Sequence, residues 1–173
     1  MREMADVVAA DREVVDGIVA RARSVATDAW SRPAAPGRWS PGQVLEHVVV
    51  SYETARQALL GKPSMPPIPR IFRPLVRKLV LGKVLRTGKF PRGAKAPAAL
   101  QPAVSPGDRE VLIGRLRTEG EAFRKAALEL TGHGQGTLDH PVFGRMPVPD
   151  YVFLLSRHTA HHAGQIPGGA GTV

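Results

Sequence analysis

Apolar residues recur at three- and four-residue spacing in four segments of the 173-residue chain, the pattern of helices with one buried face. We predict helices over residues 4–30, 40–61, 105–131 and 149–166. No segment alternates between apolar and polar residues for long enough to predict a good strand. The pattern therefore predicts an all-α protein.

The second and third predicted helices have recognisable starts. Ser40 is followed by Pro41, which is tolerated at the first helical position, and by Gln43, which completes a capping box. The third helix is predicted to begin at Ser105 by the same logic, with Asp108 as the acidic residue of its first turn. These signals separate both helices from the long connection between them.

That connection, the insert over residues 62–104, is basic and rich in proline. Residues 54–107 hold eleven Lys or Arg and nine of the sixteen prolines, but no Asp or Glu. The rest of the chain has the remaining 13 basic residues and all 15 acidic ones. We predict one domain over residues 1–173, a four-helix bundle with a long crossover connection. No nucleic-acid partner is expected, because the excess positive charge is confined to the insert.

The crossover carries a basic amphipathic segment. Its apolar residues alternate in helical blocks with arginine and lysine: Ile71, Phe72, Leu75, Val76, Leu79, Val80, Val84 and Leu85. Such a helix can lie on an anionic membrane surface. The preferred interpretation is that Phe72, Leu75, Val76 and Leu79 pack on the bundle or on a second subunit, which leaves the basic face solvated.

Composition excludes several classes of chemistry. The chain has no cysteine, so disulfides, zinc fingers, iron–sulfur clusters and a cysteine nucleophile are excluded. The N-terminal residues lack the apolar segment of a secretory signal, and no apolar run approaches the ~20 residues that span a bilayer. We expect a cytoplasmic protein.

Three of the six histidines form a candidate metal site. His158 and His162 lie four residues apart on the last predicted helix, so both imidazoles can reach one metal ion. His47 lies on the apolar face of the second helix and is a candidate third ligand, because facing helices assemble metal sites in bundle cores. The alternative is that these histidines are solvated or hydrogen-bonded in the core. His133 and His140 are interpreted as loop residues.

The remaining polar candidates lie beside these histidines in sequence. His161 is turned about 100° around the helix from its neighbours and is interpreted as a supporting or surface residue. Glu46 and His161 are the candidates for a general base, by their proximity in sequence alone. The chain has no His-Glu-x-x-His motif, which excludes a zincin-type protease. Trp39 is interpreted as a core or hydrophobic-staple residue and not as part of a ligand site.

Three motifs resemble the DinB/YfiT-like superfamily. The segment WSPGQVLEH, which ends at His47, resembles the opening of helix two in that superfamily. HPVFGRM, which begins at His140, resembles a turn of one of its branches, and HTAHHAGQI, which begins at His158, resembles its closing His-x-x-x-His-x-x-Gln motif. The resemblance covers residues 5–61 and 105–166 in order and spacing.

The resemblance implies a four-helix bundle, often dimeric, with a divalent metal ion held by His47, His158 and His162. Gln165 corresponds to the closing glutamine of the motif and is expected to support the ligands. Some members are transferases or isomerases that use mycothiol, bacillithiol or glutathione. The insert distinguishes this chain from the shorter members.

Three functions follow as expectations. The first is a metal-dependent enzyme, an S-transferase or a hydrolase, in which zinc or nickel acts on a small-molecule substrate and a low-molecular-weight thiol serves as cosubstrate. The second is a non-enzymatic, metal-stabilised bundle with a stress-related or binding role. The third is a peripheral protein that binds an anionic surface through the insert. We expect a homodimer.

Overall fold

The computed structural model describes residues 2–62, 65–90 and 96–167. In chain order its helices are α1 (Met4–Ser24), α2 (Pro41–Leu59), α3 (Arg73–Val76), α4 (Gly82–Thr87), α5 (Arg109–Gly132) and α6 (Val148–Ala163). A π-helical segment, Arg77–Leu81, joins α3 to α4. Strands β1 (Thr137–His140) and β2 (Gly144–Pro147) precede α6. The predicted all-α bundle, formed by α1, α2, α5 and α6, is confirmed.

The bundle core is built from the apolar stripes of the four long helices. Helix α2 packs chiefly on α5, and α1 packs chiefly on α6. Fully buried side chains from every one of these helices meet between them: Ile18, Leu45, Tyr52, Leu116, Phe123 and Val152. None of the helices in the described part of the chain combines the length and hydropathy required of a transmembrane span.

The first helix is shorter than predicted. It ends at Ser24, because Val25 adopts an extended conformation with φ −70° and ψ 130°. A 3-10 turn, Thr27–Ala29, follows and directs Trp30 into the core. The indole N–H of Trp30 donates a hydrogen bond to the Gly107 carbonyl at 3.0 Å. Burial of this large side chain outweighs the continuation of the helix that the apolar spacing predicts.

The start of α2 is fixed by its cap and by close packing. The capping box is confirmed, because Ser40 Oγ accepts from the Gln43 N–H and Gln43 Oε1 accepts from the Ser40 N–H. A Cβ on Gly42 would lie 2.6 Å from Pro106 and 2.8 Å from the Trp30 ring. These contacts hold the helix that carries His47 against Trp30 and against Pro106, which follows the insert.

A two-stranded hairpin lies between α5 and α6, and the sequence analysis predicted neither of its strands. Strands β1 and β2 pair antiparallel, and Gly144 supplies the positive φ of +68° in the turn. Each strand has four residues, too few to show an alternating pattern. The interpretation of His140 as a loop residue is wrong, because it ends β1 and is buried. His133 is exposed and follows α5, as expected.

Residues 73–87 of the insert form a nearly continuous helical segment, named here the insert helix. Leu81 and Val84 are buried in the core, and Val76 is partly buried. Phe72, Leu75 and Leu79 are exposed, so the prediction that they pack on the bundle is wrong, whereas their packing on a second subunit stays a prediction. Residues 63–64 and 91–95 of the insert lie outside the described residues.

Candidate metal centre

Three histidine side chains meet between α2 and α6. His47 comes from α2, and His158 and His162 come from successive turns of α6. The Nε2 atom of His158 lies 3.2 Å from Nε2 of His47 and 3.2 Å from Nε2 of His162. One ring nitrogen from each residue lies within 4.8 Å of the other two. The structure therefore brings together the three histidines that the spacing and the resemblance had singled out.

The separation of these nitrogen atoms suits a shared metal ion. Imidazole nitrogens bind zinc at ~2.0–2.1 Å, so two of them on one tetrahedral ion lie about 3.3 Å apart. The two separations of 3.2 Å in the structure are close to that value. The three histidines could therefore hold a metal ion, with the widest nitrogen separation, at most 4.8 Å, closing as the ion binds.

A backbone carbonyl of the insert orients His47. Its Nδ1 lies 2.6 Å from the carbonyl oxygen of Leu100. Because a carbonyl oxygen can only accept, the proton of the neutral ring resides on Nδ1 and donates to Leu100. Nε2 then carries a lone pair directed at the other two histidines, the arrangement that outer partners of metal-binding histidines usually enforce.

The side chain of Gln165 orients His162 as the Leu100 carbonyl orients His47. The Nδ1 atom of His162 lies 3.0 Å from Gln165 Oε1, which accepts its proton and leaves a lone pair on Nε2. Gln165 Nε2 lies 3.1 Å from Nε2 of His161, so the amide spans both rings. His161 is partly buried beside the cluster and is separate from the group of three nitrogens.

His158 occupies the centre of the cluster and lacks a comparable partner. Its Nδ1 is buried and has no hydrogen-bond partner among the described residues. Its Nε2 faces two lone pairs and can give a single proton to one of them, which leaves the other lone pair without a donor. A cation in contact with all three Nε2 atoms would remove that conflict, so the donor set fits a divalent metal ion.

Burial keeps the three rings neutral. It lowers the pKa of His162 to about 3, with the neighbouring His47 as a further cause. It holds the pKa of His158 well below the ordinary value, and His162 and His47 add to this effect. It also lowers the pKa of His47, against the opposing hydrogen bond to Leu100. Metal binding requires neutral imidazole, so these shifts favour metal over protons at neutral pH.

Two aromatic rings flank the cluster. The Trp39 ring centroid lies 4.8 Å from that of His47 and 6.2 Å from that of His162, so Trp39 lines the site instead of the core alone. The ring centroid of Phe90, in the insert, lies 5.4 Å from that of His158. The sequence interpretation missed both, because neither residue belongs to a periodic helical face that contains a histidine.

Glu46 is placed away from the three nitrogens. Its carboxylate accepts a hydrogen bond from the Ala103 N–H at 3.1 Å and so ties the end of the insert to α2. Leu100 and Ala103 together show that the insert supports this end of the bundle. A backbone contact of this kind leaves no signal in the side-chain sequence.

Comparison with known proteins gives a family assignment. The model of the DinB superfamily matches residues 11–166, a range that holds all of the histidines described above. Neither a curated protein nor a solved structure matches the chain significantly. Since the matched range covers most of the chain, including three bundle helices in full and most of α1, this protein belongs to the DinB superfamily.

Proposed function

We propose that this protein is a metal-dependent enzyme in which His47, His158 and His162 hold one divalent metal ion, zinc or nickel. The observation that carries the proposal is the convergence of three Nε2 atoms, two with lone pairs fixed by Leu100 and Gln165. Three protein ligands are typical of catalytic zinc sites, which keep a further position for water or substrate.

The proposed reactions are transfer of a low-molecular-weight thiol to a small electrophile, or hydrolysis. A divalent metal ion would supply Lewis acidity and lower the pKa of a coordinated water or thiol. The chain has no cysteine, so a thiol must be a cosubstrate. The Leu100 carbonyl and the Gln165 side chain would orient two of the histidine ligands. Trp39 and Phe90 would shield the site from solvent.

The alternative is a metal-stabilised bundle without turnover. It is favoured by the position of the cluster, which connects α2 with α6 and, through Leu100, with the insert. A metal ion there would join three parts of the chain, and its binding energy would become folding energy.

The experiment compares metal-free protein with protein reloaded with zinc or nickel. Thiol transfer is measured with glutathione, mycothiol or bacillithiol and chlorodinitrobenzene, and hydrolysis with nitrophenyl acetate. We expect turnover that needs metal, that His158→Ala abolishes, and that the exposed control His133→Ala retains. Turnover unaffected by metal removal would contradict the proposal, and a metal-dependent rise in stability without turnover would establish the alternative.

A further inference from the structure

The insert helix and the turn before it present a continuous apolar patch to solvent. Four large side chains at helical spacing form this insert patch: Ile71 (81% exposed), Phe72 (56%), Leu75 (57%) and Leu79 (59%). The other large apolar side chains exposed in the described part of the chain are Leu60, Val104, Val111 and Leu128. Grouped exposure of this kind marks an interaction surface, whereas scattered exposure is ordinary.

The opposite side of the insert helix is firmly attached. Leu81 and Val84 are buried in the core. Arg73 forms an ion pair with Asp139 at 3.2 Å, and Arg77 donates hydrogen bonds to the carbonyls of Phe143 and Arg145. The patch is therefore held outward by the fold and is not the exposed side of a detached segment.

Positive charge surrounds the insert patch. Arg70, Lys78, Lys83 and Arg86 are exposed, and none of them has an ion pair within the described ranges. No acidic residue occurs anywhere in residues 54–107. The surface thus combines apolar side chains with uncompensated cations.

A positively charged pocket lies beside the patch, where the turn before the insert helix and the start of that helix meet the hairpin. It has a volume of about 400 Å³, and its lining includes Arg70, Arg73 and Arg145 against the single carboxylate of Asp139. Arginine binds phosphate oxygens well because its planar guanidinium can donate two parallel hydrogen bonds. The pocket suits a phosphate group presented from outside the protein.

We propose that the insert patch docks on the surface of an anionic lipid bilayer. Phe72, Leu75 and Leu79 enter the boundary between headgroups and acyl chains, and Lys78, Lys83 and Arg86 contact lipid phosphates. A second copy in the same place would bring two basic surfaces together. A nucleic acid would match the charge but would leave the four apolar side chains without a partner. This surface is separate from the three histidines.

The test is cosedimentation of the full-length, metal-loaded chain with vesicles. One set contains phosphatidylcholine alone, and the other contains about 30% phosphatidylglycerol to reproduce an anionic surface. We expect binding to the anionic vesicles that weakens as salt rises, because the Debye length shortens. Absence of binding to anionic vesicles at low salt would overturn the proposal.

Two matched pairs of variants assign the binding to this surface. We expect Leu75→Ser/Leu79→Ser to weaken it, while Val111→Ser/Leu128→Ser leaves it unchanged. We expect Lys78→Gln/Lys83→Gln/Arg86→Gln to weaken it about 100-fold, from about fivefold per basic residue near the bilayer. The charge control is Arg38→Gln/Arg117→Gln/Lys125→Gln.

The folding and metal content of each variant are measured first, so that a loss of vesicle binding is not confused with unfolding or loss of metal. Equal losses in the test and control variants would overturn the proposal. So would sedimentation equilibrium in which Leu75→Ser/Leu79→Ser converts a dimer to a monomer, because a second copy would then cover the patch. Retention of metal by all variants would separate this result from any failure of the metal centre.

Discussion

At the scale of single residues, the environment of each ring sets the role of each histidine. Leu100 and Gln165 fix the tautomers of His47 and His162, so that both direct a lone pair at His158. His140 has a different role, because its Nδ1 accepts from the N–H groups of Val142 and Phe143 at 3.0 and 3.2 Å. It closes the turn of the hairpin as an acceptor, and protonation would destroy that interaction.

This difference makes His140 a source of pH-dependent stability. Burial lowers its pKa from the ordinary value of 6.5 to about 4. Because the folded-state pKa is the lower one, its contribution is complete above 6.5 and is lost as the pH falls towards 4. We expect His140 to account for about 1 kcal/mol of lost stability between about pH 7.5 and 5.5.

The measurement is urea unfolding of metal-free protein across that pH range, for the natural chain and for His140→Asn. The asparagine oxygen can accept the same backbone hydrogen bond but does not titrate. The pH slope of the variant should be shallower by about 1 kcal/mol over the range. Identical pH slopes in the two proteins would show that folding does not lower the pKa of His140, whatever their absolute stabilities.

The sequence indicated the histidines of the centre but not their support. His158 and His162 are visible because a spacing of four residues places them on one helix face. His47 was already a candidate from its place on an apolar face, and the resemblance then implied it as the third ligand. The contact between Leu100 and His47 could not be predicted from the sequence, because it uses the backbone oxygen of Leu100, and any residue at that position offers the same group.

At the scale of elements, the junction before α2 decides where His47 lies. The capping box could be read from Ser40 and Gln43, because both hydrogen bonds are local. The early end of α1 and the hairpin could not be read in the same way. Both depend on contacts distant in sequence, such as Trp30 with Gly107 and Ile68 with Pro141.

Gly42 tests this junction. A methyl group there meets Pro106 and the Trp30 ring at 2.6–2.8 Å, and both are rigid. We expect Gly42→Ala to lower the free energy of unfolding by about 1–3 kcal/mol, as overpacking does. Gly114→Ala is the matched control, because a Cβ at Gly114 meets nothing within 4 Å.

The control should raise stability by about 0.5–1 kcal/mol, since alanine is the better helix former. Denaturant unfolding of both variants measures the difference. If Gly42→Ala were as stabilising as Gly114→Ala, the close approach of α2 to Pro106 would be absent in solution.

At the scale of the whole molecule, one buried polar network joins the four helices of the bundle. Asp11 of α1 accepts from the Tyr52 hydroxyl of α2 at 2.7 Å and from Arg124 Nη1 of α5 at 2.8 Å. Thr159 of α6 donates to the Tyr52 oxygen at 3.3 Å. Burial raises the pKa of Asp11, and the hydrogen bonds from Tyr52 and Arg124 oppose that shift. Thr159 follows His158, so the network borders the cluster of three histidines.

We expect Arg124→Met to destabilise the fold by about 3–5 kcal/mol, because it leaves a buried carboxylate without its cation. The Arg124 side chain is 5% exposed, and Asp11 is fully buried. Arg12→Met is the control, since Arg12 forms an exposed ion pair with Glu121, a kind worth about 0–1 kcal/mol. Thermal or urea unfolding gives both values, and comparable small losses would argue against a structural role for the network.

The central claim is that His47, His158 and His162 hold one metal ion. The most direct test is elemental analysis by mass spectrometry of untagged protein that has been incubated with zinc or nickel and desalted. His158→Ala/His162→Ala is analysed beside it, with His133→Ala as the control. We predict about one metal ion per chain in the natural protein and the control, and none in the double variant. A folded natural protein without metal, or equal metal in the double variant, would contradict the account.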